Sequence, residues 1–132
     1  MSTIEHPDLT IEQFESGSID ADMFGHEAHV YIGWLYVQQY ELADAIARFN
    51  GALRHLTSKL GVPGKYHATI TWVFLLLIAE RSCDGEDWQT FRTRNRDLID
   101  ESRHTLGRYY SEELLFSEAA RRQFVLPDQL RS

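Results

Sequence analysis

The break Gly61-Val62-Pro63-Gly64-Lys65 constrains this chain more than any other feature, because helix-length periodic segments lie on both sides of it. Glycine takes the left-handed backbone that ends a helix, and Pro-Gly turns the chain, so the flanking segments must double back on one another. Upstream, residues 42–60 repeat apolar positions at helical spacing through Ala43, Ile46, Ala47, Asn50, Leu53, Leu56 and Leu60. Asp44, Arg48, Arg54 and Lys59 fall off that stripe. Downstream, residues 66–82 form the most hydrophobic segment. Its β-branched Thr69, Ile70, Thr71 and Val73 would also suit a strand, but its length and helical neighbours favour a helix.

The rest of the chain reads as helix too. Residues 9–16 form a short segment with Thr10 as N-cap and Gly17-Ser18 as its stop. Residues 23–38, capped by Asp20 or Asp22, are apolar nearly all round, as a central buried helix would be. After an Asp84-Gly85 turn, residues 87–99 read as a fourth main helix carrying Trp88, Phe91 and Leu98. Residues 111–124 hold one or two short helices before Pro127. The expectation is all-α: one domain, 1–132, a compact bundle of about four main helices with short helical arms at both ends.

Composition narrows function. At 132 residues with 43% hydrophobic content, the chain is one globular domain, and its 20 acidic against 13 basic residues give a net charge of -7. That balance argues against nucleic acid or an anionic membrane as partner, since both require a basic face. The single cysteine, Cys83, excludes an intrachain disulfide and a cysteine-rich zinc cage. No apolar run is long enough for a membrane span and the N-terminus does not read as a signal peptide, so a cytoplasmic protein is expected.

The candidate site rests on topology. Short links make successive helices antiparallel, so the helix at 23–38 runs parallel to the one at 66–82 and their N-termini share one end of the bundle. His26 and His29 sit in the first turns of the former, three apart on the side that continues to Gly33; His67 sits in the first turn of the latter. The three imidazoles are expected to point inward at one level. The leading reading is a mononuclear site for a divalent transition metal (zinc, iron, copper, nickel or manganese) held by His26, His29 and His67. Helix N-termini would keep the rings neutral, and open positions would be left for water or substrate.

In that reading Glu27 and Thr71 are candidate catalytic groups, while Lys65, Tyr66 and Glu15 are candidate substrate contacts. A small metal-dependent enzyme acting on a small molecule would result. The H-E-A-H spacing differs from the H-E-x-x-H of zinc proteases. A second reading keeps the pocket without metal: a small anionic ligand at two helix N-termini, with Lys65, Arg103, Arg108 or Arg122 adding charge and a histidine as acid or base. A third makes the histidines structural, satisfied by Tyr31, Tyr36, Tyr66 or Thr71, in a protein-interaction module. A homo-oligomer is compatible with each.

The motifs F-G-H-E-A-H-V at 24–30, W-L-Y at 34–36, G-K-Y-H-A-T-I-T at 64–71, R-Y-Y-S at 108–111 and F-V-L-P-D at 124–128 span most of the chain. In these the chain resembles a group of small bacterial helical proteins of uncharacterised activity. In that group a glutamate often follows the third histidine, where this sequence has Ala68. The resemblance implies one fold unit with one histidine-lined site, and no activity.

Overall fold

A computed structural model describes residues 9–20 and 24–129, and among these every regular element is helical. Helix α1, Ile11–Ser16, starts with a reciprocal cap between Thr10 and Gln13 and stops at Gly17, whose φ of 74° only glycine adopts without strain. Three long helices follow: α2 (His26–Gln39), α3 (Leu42–Lys59) and α4 (Ala68–Arg81). A 3-10 turn at Pro63–Lys65, entered through Gly61 at φ 78°, joins α3 to α4. Short helices complete the chain: α5 (Trp88–Arg94), α6 (Arg96–Asp100), α7 (Ser102–Gly107), α8 (Glu112–Leu115) and α9 (Glu118–Arg122).

The all-α bundle expected from the sequence is what forms. Its core has two apolar halves meeting across α2. One joins Phe14, Tyr36, Phe49 and Leu56 from α1, α2 and α3; the other joins Trp34, Phe74, Phe91 and Tyr110 from α2, α4 and the C-terminal half. Helix α2 is therefore central, as its all-round apolarity foretold. Gly33 marks its closest approach to α4: a methyl there would stand 3.2 Å from Ile78 Cδ1 and 3.3 Å from Leu75 Cδ2.

Four local expectations need correction. Helix α2 begins at His26 with Gly25 as N-cap, which makes no side-chain cap bond; Asp20 is not the cap, and Asp22 and Met23 lie outside the described residues. His67 is the N-cap of α4 rather than part of its first turn. The fourth helix breaks at Asn95, whose side chain donates to Phe91 O (2.9 Å) and accepts from Arg81, so that a local polar alternative outcompetes helix continuity. Ala43 and Ala47, expected on the inner stripe of α3, are exposed, because α3 packs through Ala45, Phe49, Ala52 and Leu56 instead.

Candidate functional site

Parallel packing of α2 with α4 sets the site. His29 lies across from Ile70 and Thr71, and Gly33 across from Leu75 and Ile78, so residue numbers climb together along the two helices. Two cavities lie at their N-terminal end. An inner one of about 90 Å³ lies between His26, His29 and Gly33 on α2 and Thr71, Phe74 and Ile78 on α4. An outer one of about 310 Å³ opens toward α3 and the 3-10 turn, lined by Phe24, His29, Leu56, Lys65, His67 and Thr71 among others. His29, Ile70 and Thr71 are common to both.

His29 is the hinge of this arrangement. Its ring stacks between Phe24 (5.0 Å) and Phe49 (5.3 Å). Among the described residues its imidazole makes no hydrogen bond. Although partly open to the cavities, the ring is enclosed by apolar groups. Burial pushes its pKa down to about 4, with His26 nearby adding to the effect. The ring is therefore neutral at pH 7, with one N–H to donate and one lone pair to accept. The neutrality expected from helix dipoles thus has burial as its first cause.

His67 is at the same end but has different work. Its Nδ1 accepts the Ile70 N–H (3.2 Å), capping α4, and its Nε2 donates to Leu115 O (2.7 Å). Both ring nitrogens are spent, which fixes one neutral tautomer; burial lowers its pKa as well. The bond to Leu115 ties the C-terminal arm to the start of α4. Thr69 Oγ1, donating to Gln123 O (3.0 Å), and Arg121, donating to Gly64 O, add to that tie. Ser111 closes the arm by donating from N (2.8 Å) and Oγ (2.7 Å) to the Asp128 carboxylate, while Tyr110 OH donates to Val125 O (2.5 Å). Much of the G-K-Y-H-A-T, R-Y-Y-S and F-V-L-P-D pattern is thereby explained as a clasp. Tyr110 is buried in the core and also lines an apolar groove with Tyr109, Phe124 and Pro127.

A three-histidine metal site does not fit this arrangement. Among the described residues no three His, Cys, Asp or Glu side chains gather as a group that could hold a metal ion. His67 has no lone pair free, and His26 Nε2 donates to Leu98 O (2.8 Å) while its ring meets Phe74 edge-on. The N-terminus of α4 is likewise unavailable as an anion site in the form expected, since His67 already holds the Ile70 N–H.

The remaining candidates separate. Thr71 lines both cavities, its hydroxyl donating to His67 O (2.8 Å), and Lys65 stands exposed at the rim of the outer one. Glu27 is elsewhere, paired with Arg92 (3.0 and 3.3 Å). Glu15 accepts from the buried Tyr36 OH (2.8 Å), and Tyr66 donates to Asn50 Oδ1 with Arg54 stacked on its ring. Neither Tyr66, Glu15 nor Glu27 lines a histidine cavity. Arg122 lines a separate groove with Tyr66 and Arg54, and Arg103 lies over Phe116.

His55 is exposed, as is His104, which lies in α7; His6 falls outside the described residues. Trp34 and Trp88 are buried in the core, whereas Trp72 is half-buried and stacked on Phe124 (4.9 Å). Cys83 is exposed and accepts from Arg94 (3.4 Å). Sequence reasoning missed Phe24 and Phe49, the two rings that make His29 what it is. Phe24 was visible two residues before His26, but Phe49 reaches the site only through the α2–α3 packing.

The fold and cavities define a small all-helical domain with a histidine facing two chambers. No protein family, curated protein or solved structure matches the chain. No helix among the described residues is long and apolar enough to cross a membrane.

Proposed function

We propose that this domain binds a small organic molecule with an apolar body and an anionic end. The body would occupy the outer cavity, a hydroxyl or carbonyl on it would hydrogen-bond His29, and the anionic end would sit at Lys65 on the rim. The observation that carries this reading is the neutral His29 imidazole, held between Phe24 and Phe49 and facing both cavities with no protein hydrogen bond among the described residues. His29 faces the cavities, so a ligand group that hydrogen-bonds its ring adds about 0.5–1.5 kcal/mol of net binding.

Volumes favour the outer cavity for the body. An apolar cavity of about 150 Å³ holds benzene. The inner chamber, at about 90 Å³, is too small for a ring, whereas the outer one, at about 310 Å³, has room. A neutral imidazole in apolar surroundings selects a neutral hydrogen-bonding group over a charge, and the exposed Lys65 is the place for the charge.

The test uses 4-hydroxyphenylacetate as probe, with phenol and phenylacetate as its two halves, each titrated at millimolar concentration by thermal shift and by imidazole NMR. The whole probe is expected to stabilise more than either half and to move the His29 ring signals. His29→Leu should abolish the advantage of the hydroxyl, and Lys65→Ala that of the carboxylate. If none of the three moves the His29 signals or the melting temperature, the reading is wrong.

A further inference from the structure

Between α3, α4 and α9 lies a groove of about 320 Å³ that shares no lining residue with either histidine cavity. Two guanidinium groups line it, Arg54 from α3 and Arg122 from α9, and among the described residues no carboxylate does. Among those residues neither arginine forms an ion pair, Arg122 not even with Glu118 one turn earlier in α9. In a chain of 20 acidic and 13 basic residues, two cations left together without a counter-charge mark a place for an external anion.

Both arginines are positioned by their surroundings. Arg54 lies over the Tyr66 ring (4.9 Å to its centre), and the Tyr66 hydroxyl donates to Asn50 Oδ1, which fixes that ring against α3. Stacking occupies one face of the guanidinium and leaves the N–H groups at its edge for an acceptor. Arg122 sits between two anchored neighbours: Arg121 donates to Gly64 O, and Gln123 O accepts from Thr69 Oγ1 (3.0 Å). The half-buried Trp72, with Phe124 stacked on it, supplies an aromatic wall.

We infer that this groove binds a phosphate monoester of a flat aromatic ring, with the phosphate between Arg54 and Arg122 and the ring against Trp72. Such an ester carries about -1.5 to -2 charge at pH 7 and three acceptor oxygens, which matches two guanidinium forks. A carboxylate balances only one of them. An apolar cavity of about 150 Å³ holds benzene, so the groove has room for one ring together with its phosphate. A bare phosphate would leave the Trp72 wall uncovered. Because the ligand joins α3 to α9, its binding also fastens the C-terminal arm to the bundle, beside the existing ties at Gly64 and Thr69.

Phenyl phosphate is titrated into the full chain at millimolar concentration, with inorganic phosphate and phenol as its two halves. NMR follows the Trp72 indole N–H and the arginine Nε–H signals. The ester should move the Trp72, Arg54 and Arg122 signals together and bind more tightly than either half. Arg54→Gln and Arg122→Gln should each weaken it by at least about tenfold, as the loss of a charge-assisted hydrogen-bond partner implies. Circular dichroism checks that each variant is folded. Hydrogen exchange over residues 109–129 should slow when the ester binds. His29→Leu combined with Lys65→Ala should leave the affinity unchanged, so failure at the groove and failure at the outer cavity are read separately. Unmoved Trp72 and arginine signals overturn the inference, as does an affinity indifferent to Arg122→Gln. So does inorganic phosphate binding as tightly as the ester, exchange that does not slow, or binding lost in the His29→Leu/Lys65→Ala chain.

Discussion

Replacing His29 with leucine should remove a specific part of the acid sensitivity of folding. In the folded protein the His29 pKa lies near 4 against an ordinary 6.5. Above pH 6.5 the ring is neutral whether the chain is folded or not, and it contributes no slope. Below that value the unfolded chain takes up a proton that the folded one refuses until about pH 4. Stability therefore falls with falling pH across this window and levels off beneath it. A gap of about two and a half pH units, at about 1.4 kcal/mol each, amounts to about 3 kcal/mol. Leucine fills a similar volume between Phe24 and Phe49, so at pH 7 the variant should lie within about 1.5 kcal/mol of the wild type. Urea unfolding followed by tryptophan fluorescence, at stepped pH from 7 to 4, measures both chains. The wild type should lose about 3 kcal/mol more than His29→Leu over that range. His67 and the carboxylates contribute to both curves and cancel in the difference. Parallel curves, or an NMR titration placing the His29 midpoint near 6, would refute the argument that burial holds this ring neutral.

Other residues make separable predictions. His67→Ala removes the α4 cap and strands Leu115 O, so a loss of about 2–4 kcal/mol is expected. Hydrogen exchange in this variant should rise first over residues 109–129; uniform acceleration would contradict the clasp. Gly33→Ala gains about 1 kcal/mol of helix propensity against the tips of Ile78 and Leu75, which can yield. Its melting temperature should stay near the wild type's while the inner cavity narrows, and a large destabilisation would show that these side chains cannot move. Glu27→Gln weakens the partly buried two-pronged pair with Arg92 and should cost about 1–3 kcal/mol, leaving probe binding unchanged. A lost probe response there would return Glu27 to the site.

The three long helices, the caps at Thr10 and Gly17, the Gly61 break and the parallel course of α2 and α4 were legible from the sequence. Each follows from local periodicity, backbone preference or short-loop connectivity. These rules also placed His26, His29 and His67 at one end of the bundle. They did not say what each ring would meet there. His67 turned from ligand candidate to cap and clasp because Leu115, far along the chain, brings its carbonyl to the ring. Glu27, Glu15 and Tyr66 left the site because Arg92, Tyr36 and Asn50 reach them first.

What the sequence by itself determined is an all-helical bundle and the end of it where His26, His29 and His67 lie, since both depend on residues close in the chain. Tertiary structure decided which histidine stays unbonded and neutral, because Phe24, Phe49 and the cavities around His29 are assembled from α2, α3 and α4 together. It also decided that Ala43 and Ala47 face outward. Helical spacing says which residues share a face, and only the packing of neighbours says which face is buried.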